Sequence, residues 1–143
     1  MKDPLVSLPG YALRRAASAM IAELGERLVE IGLRHTDVSI LILIEANARI
    51  TASALGRALD IKRANMVPLV GRLEAGGLIE RRPIDGKSHS LELTARGRTR
   101  LAEAWAIIEQ FEAELLARVP AAHRDHLLPA LNALWQGPPP TLG

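Results

Sequence analysis

The sequence predicts a mainly α-helical protein carrying one small β-hairpin. Three observations lead there. Apolar residues recur at helical spacing through most of the 143 residues. After Gly76-Gly77 the pattern switches to two short strand-like runs flanking Asp85-Gly86, a dipeptide suited to a hairpin turn. Aromatic residues are only 3% of the chain, namely Tyr11, Trp105, Phe111 and Trp135. A core of Leu, Ile, Val and Ala with so few rings points to helices packed on helices.

The elements follow in order. Residues 5–31 carry Leu13, Ala16, Ala17, Met20, Leu24, Leu28 and Ile31 at helical spacing, with Gly32 as the stop. Pro9 and Gly10 place the start of the regular helix near Tyr11, because proline suits only a first turn. Thr36-Asp37 reads as the N-cap pair of a second helix over 37–48, apolar almost all round and therefore buried. Thr51 caps a short third helix, 52–59, and Asp60-Ile61 connects it to a fourth, 62–75. Met66, Leu69, Val70 and Leu73 form one face of that fourth helix. Strands over 78–83 and 88–93 follow, then a Thr94-capped helix over 95–119, a break at Pro120, and a last helix over 121–135 ending at Gly137. The remaining Pro-rich residues read as an extended tail.

Length predicts a single domain, with no repeat and no linker long enough to divide it. The absence of cysteine excludes disulfides, thiolate metal sites and cysteine nucleophiles. Met1-Lys2-Asp3-Pro4 lacks the apolar run of a signal peptide. The longest apolar run, 40–44, is far short of the ~20 residues that span a bilayer, so a cytoplasmic protein without membrane partners is expected. His35, Asp37 and Ser39 lie too close together for a catalytic triad. No glycine loop cradles phosphate, so no enzyme is expected. His123 and His126 stand three apart without a third ligand, so no metal and no cofactor is expected.

Charge is uneven. Residues 57–100 hold ten bases against five acids, a net +5, while the rest of the chain carries −3 of the total of +2. A basic middle of this kind is either a solvated face or a footprint for a polyanion. A short helix, a tight turn, an amphipathic helix and a basic hairpin together make a winged helix-turn-helix unit. In such a unit the second helix enters the DNA major groove by its N-terminal end. Here that end reads Lys62-Arg63-Ala64-Asn65: Arg63 suits a guanine edge, Asn65 an adenine edge, and Lys62 a phosphate. Lys87 at the hairpin tip, with Arg81 and Arg82 at its base, suits the minor groove or its phosphates.

Two runs carry a family resemblance. Leu55-Gly56-Arg57-Ala58-Leu59-Asp60-Ile61-Lys62-Arg63-Ala64-Asn65-Met66 is followed by Leu73-Glu74-Ala75-Gly76-Gly77-Leu78-Ile79-Glu80-Arg81. Asp85-Gly86-Lys87 is followed by Leu91-Glu92-Leu93-Thr94-Ala95-Arg96-Gly97. With Ile31-Gly32-Leu33 upstream, the whole chain resembles MarR-family regulators. The resemblance implies a homodimeric repressor on double-stranded DNA with a palindromic operator, released by a small, often aromatic effector. It implies a winged unit over about 36–97, dimerisation helices over 5–35 and 98–136, and a tail over 137–143. It places Arg63, Ala64, Asn65 and Val67 at groove-reading positions, with Asp85 bracing the wing and Lys87 entering the minor groove. Two departures stand out. Lysine replaces arginine at 87 and lacks its planar fork, and Pro68 removes a helix bond at a position that is often a polar contact.

Candidate effector residues are Tyr11, Arg15, His35 and Trp105, expected where the first, second and fifth helices meet the winged unit. Arg15 is either a carboxylate partner or a surface ion-pair partner, and Trp105 either stacks on a ring or packs in the core. Apolar Leu5, Val6 and Leu8, with Leu127, Leu128, Leu131, Leu134 and Trp135, give the terminal elements a face that a second subunit would cover. The competing reading is a winged-helix protein-interaction module that uses the basic face for charge alone.

Overall fold

The computed structural model describes residues 1–136, so the expected tail over 137–143 lies outside the described residues. A 3-10 turn, Pro4–Ser7, precedes α1 (Pro9–Val29), α2 (His35–Ala46), α3 (Ala52–Leu59) and α4 (Arg63–Ala75). The hairpin β1 (Ile79–Asp85) and β2 (Ser88–Leu93) follows, then α5 (Ala95–Arg118), a second 3-10 turn (Ala121–His123) and α6 (Arg124–Trp135). The mainly helical expectation with one antiparallel hairpin holds.

Two helix starts differ from the expected ones. α1 begins at Pro9 rather than near Tyr11, because at N1 a missing N–H costs nothing. The Ala12 N–H then closes the first turn on the Leu8 carbonyl at 3.0 Å. α2 begins at His35, with Arg34 as N-cap, so Asp37 is not the cap but stands inside the first turn. Its carboxylate Oδ2 accepts the Arg34 backbone N–H at 2.8 Å. Thr51 caps α3 as expected, accepting the Ala54 N–H at 3.2 Å.

α4 ends in a left-handed turn at Gly77, φ +72°, where a side chain would be strained. The Leu78 N–H reaches back to the Leu73 carbonyl and the Gly77 N–H to the Glu74 carbonyl, which satisfies the helix end. The Leu-Thr-x-x-Gly stretch now has a physical reading. The Thr94 hydroxyl accepts the Gly97 N–H at 3.0 Å and donates to the Gly77 carbonyl at 2.6 Å. A Cβ on Gly97 would fall 2.0 Å from the Leu78 carbonyl oxygen, so only glycine lets α5 start against this turn.

Two compact units divide the chain, Met1–Ile107 and Ile108–Gly143. Residues 36–97, expected to form the winged unit, lie in the first. Its core holds Leu28, Ile40, Leu41, Leu55, Val70, Leu91 and Leu101, all essentially buried. The α2–α3 loop joins the sheet through one bond, the Leu91 N–H to the Ile50 carbonyl at 2.8 Å. In the second unit Phe111 is buried, while Leu128, Leu134 and Trp135 are exposed.

One charged side chain lies wholly inside the first unit. Asp37 is 0% exposed. Arg72 of α4 donates to it through both terminal nitrogens, Nη1 to Oδ2 at 3.0 Å and Nη2 to Oδ1. The Arg72 side chain is itself 39% exposed, but removing it strands the buried Asp37 charge, which costs more than the pair contributes. Arg72→Ala is therefore expected to destabilise the protein by about 3 kcal/mol. Adding Asp37→Asn, which keeps an acceptor for Arg34 but removes the charge, should recover part of that loss. Urea denaturation at fixed protein concentration checks this, and simple additivity of the two losses would count against it.

Candidate nucleic-acid interface

The interface is built by α3, α4 and the hairpin. Asp60 ends α3 in the left-handed region at φ 53°, which aspartate tolerates better than most residues. The Ile61 N–H returns to the Gly56 carbonyl at 2.8 Å, so the turn into α4 is tight. Lys62 is the N-cap, and its carbonyl accepts the Asn65 and Met66 N–H groups at 2.9 and 3.0 Å. Met66, Val70 and Leu73 are buried and Leu69 half-buried, which leaves Arg63, Ala64, Asn65 and Val67 exposed on the free side. Pro68 stands inside α4 on that same side, yet the helix runs on to Ala75. The bond it deletes is the one to the Ala64 carbonyl, one turn beyond the bonds that set the helix start.

The hairpin closes with Asp85 paired to Ser88 and Gly86-Lys87 between them. An irregularity between Pro83 and Asp85 accommodates the turn. Among the described residues the Asp85 carboxylate makes no ion pair or hydrogen bond. Between hairpin and helices lies a groove of about 700 Å3. Arg57, Lys62, Arg63, Arg81 and Lys87 line it with a single carboxylate, Asp60.

Burial and pairing sort the ten bases of the middle segment. Arg72 is held by Asp37, and Arg82 by Glu80 at 2.9 Å and Glu92 at 3.1 Å. Arg98 bonds the Leu93 carbonyl at 3.2 Å, and Arg100 pairs with Glu103 at 2.9 Å. Arg81 gives its Nε to Glu74 at 2.8 Å while its side chain still lines the groove. Arg57, Lys62, Arg63 and Lys87 make no ion pair or side-chain hydrogen bond among the described residues. Of the five cations of this segment left without such a partner, four line one groove, and the fifth, Arg96, is exposed at the start of α5 outside it. Unpaired charge in a concave site raises the local concentration of a polyanion.

The effector candidates do not converge. Arg15 pairs with Asp3 at 3.3 Å and stacks over the Tyr11 ring at 4.6 Å, as a surface ion-pair partner would. Trp105 is 38% exposed on α5, so it does not pack in the core. His35 bonds the Ile21 carbonyl through Nε2 at 2.7 Å and lines a cavity of about 460 Å3 between α1 and α2. Ile21, Ala22, Gly25, Glu26, Val29 and Arg34 complete that lining; Tyr11, Arg15 and Trp105 do not reach it. Among the described residues no cluster of three ligating side chains is placed to hold a metal, and no helix is long and apolar enough to cross a membrane.

Sequence reasoning missed the roles of three residues here. Asp37 and Arg72 are 35 positions apart, and nothing local signals their pairing. His89 also lines the groove. Strand alternation offered a signal for it, since His89 shares a face with the apolar Leu91 and Leu93.

A short helix, a tight turn, a groove-lining helix with a polar, basic start and a basic hairpin define a winged-helix DNA-binding protein. Comparison with known proteins narrows the class. The MarR family model matches residues 31–87. The transcriptional repressor CouR, solved on a 23-mer DNA duplex, is 32% identical, with 94% of this chain and 97% of that one covered and a TM-score of 0.86. The Mycobacterium tuberculosis MarR family protein Rv2887, in complex with DNA, is 25% identical over 90% of this chain and 98% of that one, with a TM-score of 0.76. A putative transcriptional regulatory protein for the hcr operon of Thauera aromatica is 28% identical over 130 residues, 89% of this chain and 78% of that protein. The chain belongs to the MarR family of transcriptional regulators.

The sorting of cations makes a direct prediction. Lys87→Ala should flatten the dependence of log K on log salt by about 0.9 per protomer. Arg82→Ala, which removes a cation already held by Glu80 and Glu92, should leave that slope nearly unchanged. A salt series by fluorescence anisotropy separates the two, and equal effects would show that the pairing does not sort the contacts.

Proposed function

We propose that this protein is a homodimeric repressor, not an enzyme, that reads a palindromic operator through α4 and the hairpin and is released by a small ligand. One observation carries the reading: four cations without protein partners, Arg63 among them, line one groove, and Asn65 is exposed two residues after Arg63 at the start of α4. Arg63 reads a guanine edge through two parallel bonds, Asn65 reads adenine, and Ala64 and Val67 offer apolar contact to thymine methyls. Lys62 and Arg81 hold phosphates, and Lys87 at the wing tip enters the minor groove or meets its phosphates. In this scheme Asp85 closes the turn that presents Lys87 through its backbone pairing with Ser88, not through its carboxylate.

Dimerisation is supported by exposed apolar side chains at both ends of the chain. Val6 and Leu8 at one end are 68% and 50% exposed, and Leu134 and Trp135 at the other are 66% and 73% exposed. Isolated surface leucines need no partner, but a series of them does. For the effector, CouR has also been solved with p-coumaroyl-CoA and Rv2887 with salicylic acid. By likeness we assign this protein a small aromatic effector. Of the four candidate residues His35 has the strongest support, since it lines a cavity that also holds Arg34, a fork for a carboxylate.

The test is anisotropy binding to the duplex upstream of its own gene, beside a scrambled duplex. Selective binding is expected. Arg63→Ala should lose about 1–3 kcal/mol and relax the preference at one base pair of each half-site. Equal binding of both duplexes, indifferent to Arg63, would replace the operator reading with charge-driven docking to an acidic partner.

A further inference from the structure

We infer that His89 is a further DNA contact, a wing-strand imidazole that meets a backbone phosphate in its protonated form. The placement follows from the sheet. His89 lies on β2 opposite Pro83, and Leu91 lies opposite Arg81. Alternation puts residues 89, 91 and 93 on one face of the strand. Leu91 and Leu93 are buried, so that face is the one turned toward the helices. His89 is the outermost of the three, where the face leaves the core and lines the groove.

The ring is uncommitted. His89 is exposed and has no hydrogen bond or ion pair among the described residues, whereas His35 is tied to the Ile21 carbonyl. The charged groups that share its groove are Arg57 and Asp60 from α3, Lys62 and Arg63 from α4, and Arg81 and Lys87 from the hairpin. A phosphate seated in the groove beside the ring stabilises the imidazolium over the neutral form. Imidazole is the side chain whose charge changes between pH 5 and 8. The contact is therefore proton-linked: each protomer takes up a proton as DNA binds, and affinity rises as pH falls. The limit is about tenfold per pH unit for each histidine.

The inference rests on the DNA-binding reading but not on operator specificity, because a phosphate contact is independent of sequence. The experiment is the anisotropy salt series, run at about pH 6 and about pH 8 on the duplex upstream of the gene and on the scrambled duplex. For the unaltered protein the slope of log K against log salt should be steeper at the lower pH by about 0.9 per protomer. H89Q should abolish that difference and keep the shallower slope at both pH values. H89R should hold the steeper slope at both. The three remaining histidines stay in place in each variant. A pH difference that persists in H89Q, or a slope of the unaltered protein that does not change with pH, overturns the assignment. Equal binding to the two duplexes would defeat the operator reading alone, since the slopes still decide the role of His89.

Discussion

The position of α4, the helix that lines the basic groove, depends on one buried carboxylate. Asp37 joins the first turn of α2 to the last turn of α4, since its Oδ2 takes both the Arg34 N–H at 2.8 Å and the Arg72 Nη1 at 3.0 Å. A buried ion pair contributes little net stability once desolvation is counted. Its contribution here is geometric. Two parallel bonds from a planar guanidinium fix the rotation and height of α4 against α2 in a way that apolar contact does not. Arg63 stands nine residues before Arg72, about 14 Å along the helix axis. A small tilt at the anchored end becomes a larger displacement at the polar, basic start of the helix.

The rest of the interface is arranged around that anchored helix. Met66, Val70 and Leu73 seat α4 on the core, so its polar start has no other face to present. Thr94 and Gly97 hold the start of α5 against the turn that ends α4, which sets where the hairpin leaves the core. The Leu91–Ile50 bond stitches the sheet to the loop before α3. Helix, turn and wing are thereby positioned by separate contacts that share the same few elements.

Electrostatics then distinguishes residues of the same type. Arg82 and Arg81 are neighbours in sequence, yet alternation along β1 sends them to opposite faces of the hairpin. Arg82 meets Glu80 and Glu92 and is neutralised there, while Arg81 lines the groove. Exposed pairs of this kind add little to stability. Their effect is to leave the field of the groove to Arg57, Lys62, Arg63 and Lys87.

Much of this was legible in the residues alone. The 3.6-residue spacing of Met66, Val70 and Leu73 marked α4 and its buried face, and Thr51 and Thr94 marked helix starts, because caps and periodicity are local physics. The basic, polar start of α4 and the cation at the hairpin tip were legible for the same reason. The start of α2 was misread because Asp37 suits a cap as well as a third position, and only its distant partner decides between them. The effector candidates failed to converge because side chains grouped by type need not share a cavity. By itself the sequence determined the elements, their order and the family, all of which follow from neighbours a few residues apart. The tertiary structure alone decided which cations are neutralised and which carboxylate anchors α4, because each depends on pairings between residues that only folding brings together.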